Sequence, residues 1–482
     1  MPRRRSPTRR RLSRGGRVNQ RDTGPDSAAV LERVDSEREG QIEALIDYLR
    51  IPSISTDPSY AAEVRRCAVH LRDLMTSIGL ESEIVDTDGH PLVYAEHCRA
   101  EGKPTVLFYG HYDVQPPDPL DQWRNPPFEP TVEDGRIVAR GATDDKGQSL
   151  AHVMAVARLL EERGELPVNV KFLIEGEEES SGEAIETYVR GDGASRLACD
   201  CVVVSDSSMF ARGIPSILYG LKGLLYVEIR VQGPDRDLHS GSFGGAVRNP
   251  AQALADLVSG LRDPSSGEIL IPGFYDAVRP LEQWERDEFA RLPYDEEAYA
   301  ADLGIGELWG ERGYSTYERT WARPTCDVNG IWGGYQGPGA KTIIPAAAGA
   351  KVSMRLVPDQ DPDEIAEALQ RHLQQTCPSG VRCEMQVLGR ARPVLVDTGG
   401  REAEAAQDAL EDVWGRRPVR VREGGSIPIV GTFAEALDVP VLLIGFGLSD
   451  DRLHSPNEKF EIENYLQGIR ATVRFLDRLG AA

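Results

Sequence analysis

Thr105-Val106-Leu107-Phe108-Tyr109-Gly110-His111-Tyr112-Asp113 is a short apolar run that ends on a histidine, with an aspartate two residues on. An apolar run of this length suits a buried strand. On an extended segment residues two apart share a face, so His111 and Asp113 point the same way. A lone His-x-Asp is also what a surface turn offers. It gains meaning because the pattern recurs. Three further strand-like runs, 168–174, 201–204 and 439–444, precede Glu175-Gly176-Glu177-Glu178-Glu179, Ser205-Asp206 and Leu453-His454-Ser455. Residues 27–49, 147–163 and 463–479 show helical spacing of apolar positions. Strands alternating with helices predict an α/β domain with a mostly parallel central sheet. Ligands in such sheets gather outside the carboxyl ends of the strands, where these polar clusters fall.

The clusters have the chemistry of a two-metal site. Asp144 and Asp145, in Gly141-Ala142-Thr143-Asp144-Asp145-Lys146-Gly147, open the helix at 147–163. An Asp there often serves as a cap. Two oxygens on one carboxylate can also bridge two cations about 3.5–4 Å apart. We assign the bridge to Asp144 and a structural role to Asp145. Four glutamates at one strand end repel one another, and nearby cations relieve that repulsion. One can ligate while its neighbour stays free as a general base. With Asp144 shared, one cation takes His111, Asp144 and Asp206, and the other Asp144, Glu179 and His454. Each then has three protein ligands and an open position, as in catalytic zinc sites. Asp113 is suited to hold the other ring nitrogen of His111. Zn²⁺ is the expected ion, and Mn²⁺ or Co²⁺ suit the same donors.

At 482 residues the chain exceeds one core. Its net charge is −22, which argues against a nucleic-acid partner for the folded body. No apolar run is long enough to span a membrane. Residues 1–26 break from this composition. They hold nine Arg and two Asp, a net +7, with almost no apolar side chains, so they are expected to be a disordered tail. The seven cysteines are odd in number, and no leader is apparent, which suggests a reducing cytoplasm. Cys199-Asp200-Cys201 lacks a second pair and is expected at a strand edge.

The middle of the chain has another texture. Alternating strands at 224–231, 351–357 and 381–387 accompany helices at 249–262 and 361–374. This predicts an inserted α+β domain of ferredoxin-like type at 216–390, splitting a catalytic domain into 27–215 and 391–482. The acidic, aromatic stretch 264–324 is expected to cover one face of the insert.

So assembled, the chain resembles metallopeptidase family 20, the di-metal exopeptidases that include carnosinases, nonspecific dipeptidases, aminoacylases and acetylornithine deacetylases. The likeness runs from about Ser27 to the C-terminus. Trp123-Arg-Asn-Pro-Pro-Phe-Glu-Pro130, Asp237-Leu-His-Ser-Gly241, Gly330-Ile-Trp-Gly-Gly334, Lys341-Thr-Ile-Ile-Pro345 and Met354-Arg-Leu-Val-Pro358 are similar to its dipeptidase branch. The resemblance implies Glu178 as base and Glu179 as ligand. It implies that His239 reaches the partner subunit's site to stabilise the oxyanion. Arg355, with Thr342 and Ser426, would bind the substrate's terminal carboxylate. It further implies a homodimer through the insert, which acts as a lid, and a cis peptide at Asp144-Asp145. The expected activity is hydrolysis of dipeptides or short peptides with a free carboxylate. Deacylation of N-acyl amino acids is the alternative on the same site.

Overall fold

In the computed structural model, which describes residues 27–425 and 427–481, the apolar stripe of residues 27–49 is broken into two helices. They are α1 (Ala28–Ser36) and α2 (Arg38–Leu49), and they meet at Glu37, where φ is −97° and ψ 18°. The break lets Val30 and Val34 on one piece, and Leu45 and Leu49 on the other, reach the same core. The Arg-rich residues 1–26 and Ser426 lie outside the described residues.

After α3 (Ala61–Ser77) the chain lays down β1 (Glu81–Val85), β2 (Leu92–His97) and β3 (Thr105–His111). Then come α4 (Lys146–Arg163), β4 (Asn169–Glu175), β5 (Cys201–Val204) and β6 (Ser216–Leu221). The insert follows as β7 (Gly223–Gln232), β8 (Leu238–His239), α5 (Pro250–Ser259), β9 (Thr325–Gly333), β10 (Ile343–Ile344), β11 (Ala347–Leu356), α6 (Pro362–Thr376) and β12 (Arg382–Ala391). The body resumes with β13 (Val394–Leu395), α7 (Arg401–Trp414), β14 (Val419–Glu423), β15 (Val441–Leu443) and α8 (Ile462–Ala481).

The body is one sheet in the order β1-β2-β4-β3-β5-β15-β6-β13, with β14 beside β6. Its centre, β4-β3-β5-β15, is parallel. The flanks are largely antiparallel, so the sheet is mixed where sequence pattern suggested mostly parallel. Flank strands such as β6 are as buried as central ones, and burial pattern does not encode direction. Helices α1–α4, α7 and α8 pack their apolar stripes on one face around Phe108, Phe172 and Tyr465. A second core, around Tyr109, Tyr219 and Phe433, fills the other face.

The insert is a four-stranded antiparallel sheet, β9-β11-β7-β12. Leu254 and Leu257 of α5, with Leu369 and Leu373 of α6, cover one of its faces. On β9, Val328, Ile331 and Trp332 are exposed. The boundary read at 215/216 falls one strand early. Residues Ser216–Leu221 still pair in the central sheet, and only Lys222 separates them from the insert's first strand. Two adjacent buried apolar runs offered no break to read.

The stretch 264–324 does more than cover the insert. Ile269, Ile271 and Phe274 join the insert core, whereas Phe289, Leu292 and Ala322 join the body core beside Tyr219 and Val421. Cys377 and Cys383 are disulfide-bonded between the end of α6 and β12. Cys201 is a buried free thiol and Cys199 is half-buried, as their sequence suggested. Among the described residues no helix is long and apolar enough to cross a membrane.

Candidate metal centre

The four parallel central strands end on one side of the sheet, and that end collects the polar clusters. His111 is the last residue of β3, in register with Glu175, the last of β4. Asp206 lies two residues beyond β5. His454 lies in the loop after β15, with φ of +57°. Asp144 precedes α4 through a cis peptide to Asp145. Gly110 lets β3 and that loop approach: a Cβ there would sit 2.6 Å from the Ser149 Cβ and 2.7 Å from Asp145 Oδ2.

Asp144 is the hub. Its Oδ1 is 3.1 Å from His111 Nε2 and its Oδ2 is 2.9 Å from His454 Nε2. The two oxygens of one carboxylate therefore face two different imidazoles. His454 Nε2 also lies 3.4 Å from Glu179 Oε1. Two donor sets result, His111–Asp144–Asp206 and Asp144–Glu179–His454, each with ligand atoms within 4.8 Å of one another.

A surrounding layer orients these donors. His111 Nδ1 lies 3.1 Å from the Asp113 carbonyl and 3.4 Å from its Oδ1, which turns Nε2 inward. Asp113 Oδ2 accepts from Ser55 Oγ at 2.6 Å and from the Glu179 N–H at 3.0 Å. Gln115 Nε2 donates to Glu179 Oε2 at 2.7 Å. Tyr109 donates its hydroxyl to Glu175 at 2.7 Å. Asp145 stands at the N-cap position of α4 without a side-chain capping bond, and its Oδ2 instead accepts from the His111 N–H at 3.2 Å. Glu458, fully buried, accepts from the Gly141, Thr143 and Asp144 N–H groups and from Arg140.

The electrostatics of the cluster fit bound cations. Burial, then the neighbouring carboxylates, pushes Glu178 up to about 9 and Asp206 up to about 7, with His111 as the main relief. Burial takes Glu175 to about 8. Burial works against charge on His111 too, but Asp113 and Asp144 outweigh it and hold the imidazolium well above its ordinary range. Hydrogen bonds to Asp144 and Glu179 raise His454 to about 10. Burial would raise Asp144, yet His111 and His454 together hold it below the usual carboxylate range. This donor set is short of positive charge at close range, which is what divalent cations supply. Imidazole and carboxylate donors suit Zn²⁺, Mn²⁺ and Co²⁺.

The remaining residues singled out in the sequence lie on the insert. His239 is exposed on β8, and its Nδ1 accepts from the Gly241 N–H at 3.1 Å. Thr342 is adjacent, its carbonyl accepting from the Ser240 N–H at 3.0 Å. Arg355 is near the end of β11, opposite Thr325 and Leu224. These are not among the groups that converge on Asp144. Sequence reasoning missed Ser55, Gln115 and Glu458. None of the three stood out in the sequence from other polar loop residues.

The sequence pattern of Peptidase family M20/M25/M40 matches residues 107–478. The Cys-Gly metallodipeptidase dug1 of Schizosaccharomyces pombe is 33% identical, over 94% of this chain and 98% of its own. The human Beta-Ala-His dipeptidase is also 33% identical, over 92% and 91% respectively. Among solved structures, an M20 family metallo-carboxypeptidase from Sulfolobus solfataricus superposes with a TM-score of 0.81 at 37% identity, covering 92% of this chain and 99% of its own.

Proposed function

This chain belongs to peptidase family M20/M25/M40, in its metallodipeptidase branch, and on that premise we propose how its residues divide the hydrolysis of a dipeptide. His111, Asp144 and Asp206 would hold one divalent cation, and Asp144, Glu179 and His454 a second. Zn²⁺ is our first assignment, with Mn²⁺ or Co²⁺ as substitutes. When bound, such a pair makes a nearby water more acidic and polarises the scissile carbonyl.

The chain's own residues supply the rest. Glu178 takes the proton from the attacking water and passes it to the leaving amine. Asp113 keeps the His111 tautomer fixed. Arg355, with Thr342 and Ser426, receives the substrate's terminal carboxylate. His239, which is not among the groups gathered at its own subunit's Asp144, donates to the oxyanion in a partner's site. That role requires a homodimer through the insert, and the exposed Val328, Ile331 and Trp332 on β9 supply an apolar edge for it. Two units follow: a catalytic body formed by 27–221 with 391–482, and a lid and dimerisation unit within 223–390. We place the protein in a reducing cytoplasm. The Cys377–Cys383 pair is the observation that weighs against it, and thiol counting after alkylation in intact cells decides between them.

The observation that carries the reading is Asp144, whose two oxygens face His111 and His454. The test is product detection by mass spectrometry on dipeptides and N-acyl amino acids, with metal-loaded protein and Glu178→Ala as control. Dipeptide cleavage that disappears in the control is the expected result. Turnover of N-acyl amino acids alone would overturn the substrate assignment.

A further inference from the structure

Residues 139–145 form the irregular segment that delivers Asp144 to the cluster, and its peptide N–H groups have no helix or strand to bond within. A buried backbone donor without a partner is costly, so each must be satisfied locally. One side chain takes three of these donors, while Ala139, Arg140 and Ala142 use backbone carbonyls. Glu458 Oε1 accepts from the N–H of Thr143 at 3.0 Å and of Asp144 at 3.1 Å. Its Oε2 accepts from the N–H of Gly141 at 3.0 Å and from Arg140 Nη1 at 2.7 Å. A carboxylate offers about four lone-pair positions, and all are used.

The surroundings reinforce the same contact. The Ala139 N–H donates to the Glu458 carbonyl at 3.1 Å. The Thr143 hydroxyl lies 2.7 Å from the Lys459 carbonyl and 3.1 Å from Asp451 Oδ2. Glu458 also lies four residues after His454, which faces Asp144 Oδ2. One short segment thus meets Asp144 from both ends, at its carboxylate through His454 and at its amide through Glu458.

We infer that Glu458 is a positioning residue that clamps the 141–144 loop and so aims Asp144 at both cations. Because Asp144 belongs to both donor sets, loosening the clamp weakens both ions together. No neutral replacement reproduces it. Glutamine turns an N–H₂ toward backbone N–H groups, and aspartate falls short by a methylene.

The inference rests on the two-cation reading above. It is tested by calorimetric metal titration of chelator-stripped protein: wild type, Glu458→Gln, Glu458→Asp and Asp477→Asn. Asp477 is an equally buried carboxylate, paired with Arg163 far from the site, and it controls for general loss of stability. Wild type binding two ions, Glu458→Gln weakening both by about 10–100-fold, and Asp477→Asn leaving them unchanged is the expected result, this being the usual range for losing a support of a metal ligand. Glu458→Asp retains the charge and is read by the same criterion if the glutamine variant does not fold. Folded Glu458 variants with wild-type affinity overturn the inference, as does an equal loss in Asp477→Asn. Failure of wild type to bind two ions instead overturns the metal-centre reading itself.

Discussion

Loading the site with cations should expel protons, and the structure gives their number. Ligation requires neutral histidines and ionised carboxylates. In chelator-stripped protein at pH 7, His454, raised to about 10, carries its proton. So does His111, held well above its ordinary value of 6.5. Asp206, at about 7, is half protonated. Glu178, at about 9, is protonated as well, and it must give up that proton to serve as a base. Roughly three to four protons are therefore released when both ions bind at pH 7. By linkage, the combined affinity for two ions rises about a thousandfold or more per pH unit near pH 7. Isothermal calorimetry in buffers of different ionisation enthalpy measures the release directly. Glu178→Gln, which leaves both donor sets intact, should lower it by about one proton. The sign for stability follows. His454 stabilises the stripped fold below pH 6.5, and that contribution is lost as pH rises through about 10. Asp206 and Glu178, raised from 3.8 and 4.5, favour their protonated forms in the fold, so ionising them destabilises it as pH climbs toward 7 and 9. Stripped protein should therefore weaken steadily from acid to alkaline pH, while added metal stabilises it most on the alkaline side. Release of one proton or fewer would refute the charge arrangement. An unchanged count in Glu178→Gln would refute the protonation of that residue.

Asp113→Ala removes the acceptor for the Ser55 hydroxyl and the Glu179 N–H. Each orphaned donor costs about 1–3 kcal/mol, so urea melts should show a clear loss of stability, with metal affinity down about 10–100-fold. His239→Ala should lower kcat by about 100-fold or more, the scale for losing an oxyanion donor, with metal content unchanged. Mixing inactive Glu178→Ala and His239→Ala subunits should restore about a quarter of wild-type activity, because a mixed two-fold dimer has one intact site; activity that stays at the level of the separate variants would count against sharing across subunits. Phe433→Ala, a fully buried ring set edge-on to Tyr109 at 5.5 Å, should cost about 3–5 kcal/mol in thermal or urea unfolding and leave metal affinity near wild type.

The cluster was legible because its members sit where strands end. His111, Glu179 and Asp206 follow apolar runs within a few residues, and period and composition mark those runs. Asp144 was legible from the arithmetic of ligand sharing, since two cations with three donors each need a bridge. What the sequence hid was of two kinds. The antiparallel flanks of the sheet were hidden because a strand such as β6 looks no different from a parallel strand when buried on both faces. Glu458 was hidden because its partners, Gly141, Thr143 and Asp144, lie more than 300 positions earlier and engage it through backbone amides, which every residue has. The split of residues 264–324 between two cores was lost for a related reason. Phe274 and Phe289 are equally apolar, and nothing in their neighbourhood says which sheet each will meet.

The strand order has a consequence for synthesis. β15 lies between β5 and β6 at the heart of the sheet, yet residues 441–443 emerge long after Leu221. At 5–20 residues per second, a growing chain would wait roughly 10–40 s between finishing β6 and receiving the strand that joins it to β5. Throughout that interval the nascent body presents two open central edges, with the whole insert made in between. Such edges invite pairing with other chains. The step most exposed to aggregation is therefore the late arrival of a three-residue strand, and shielding of the nascent chain matters most while the insert is being made.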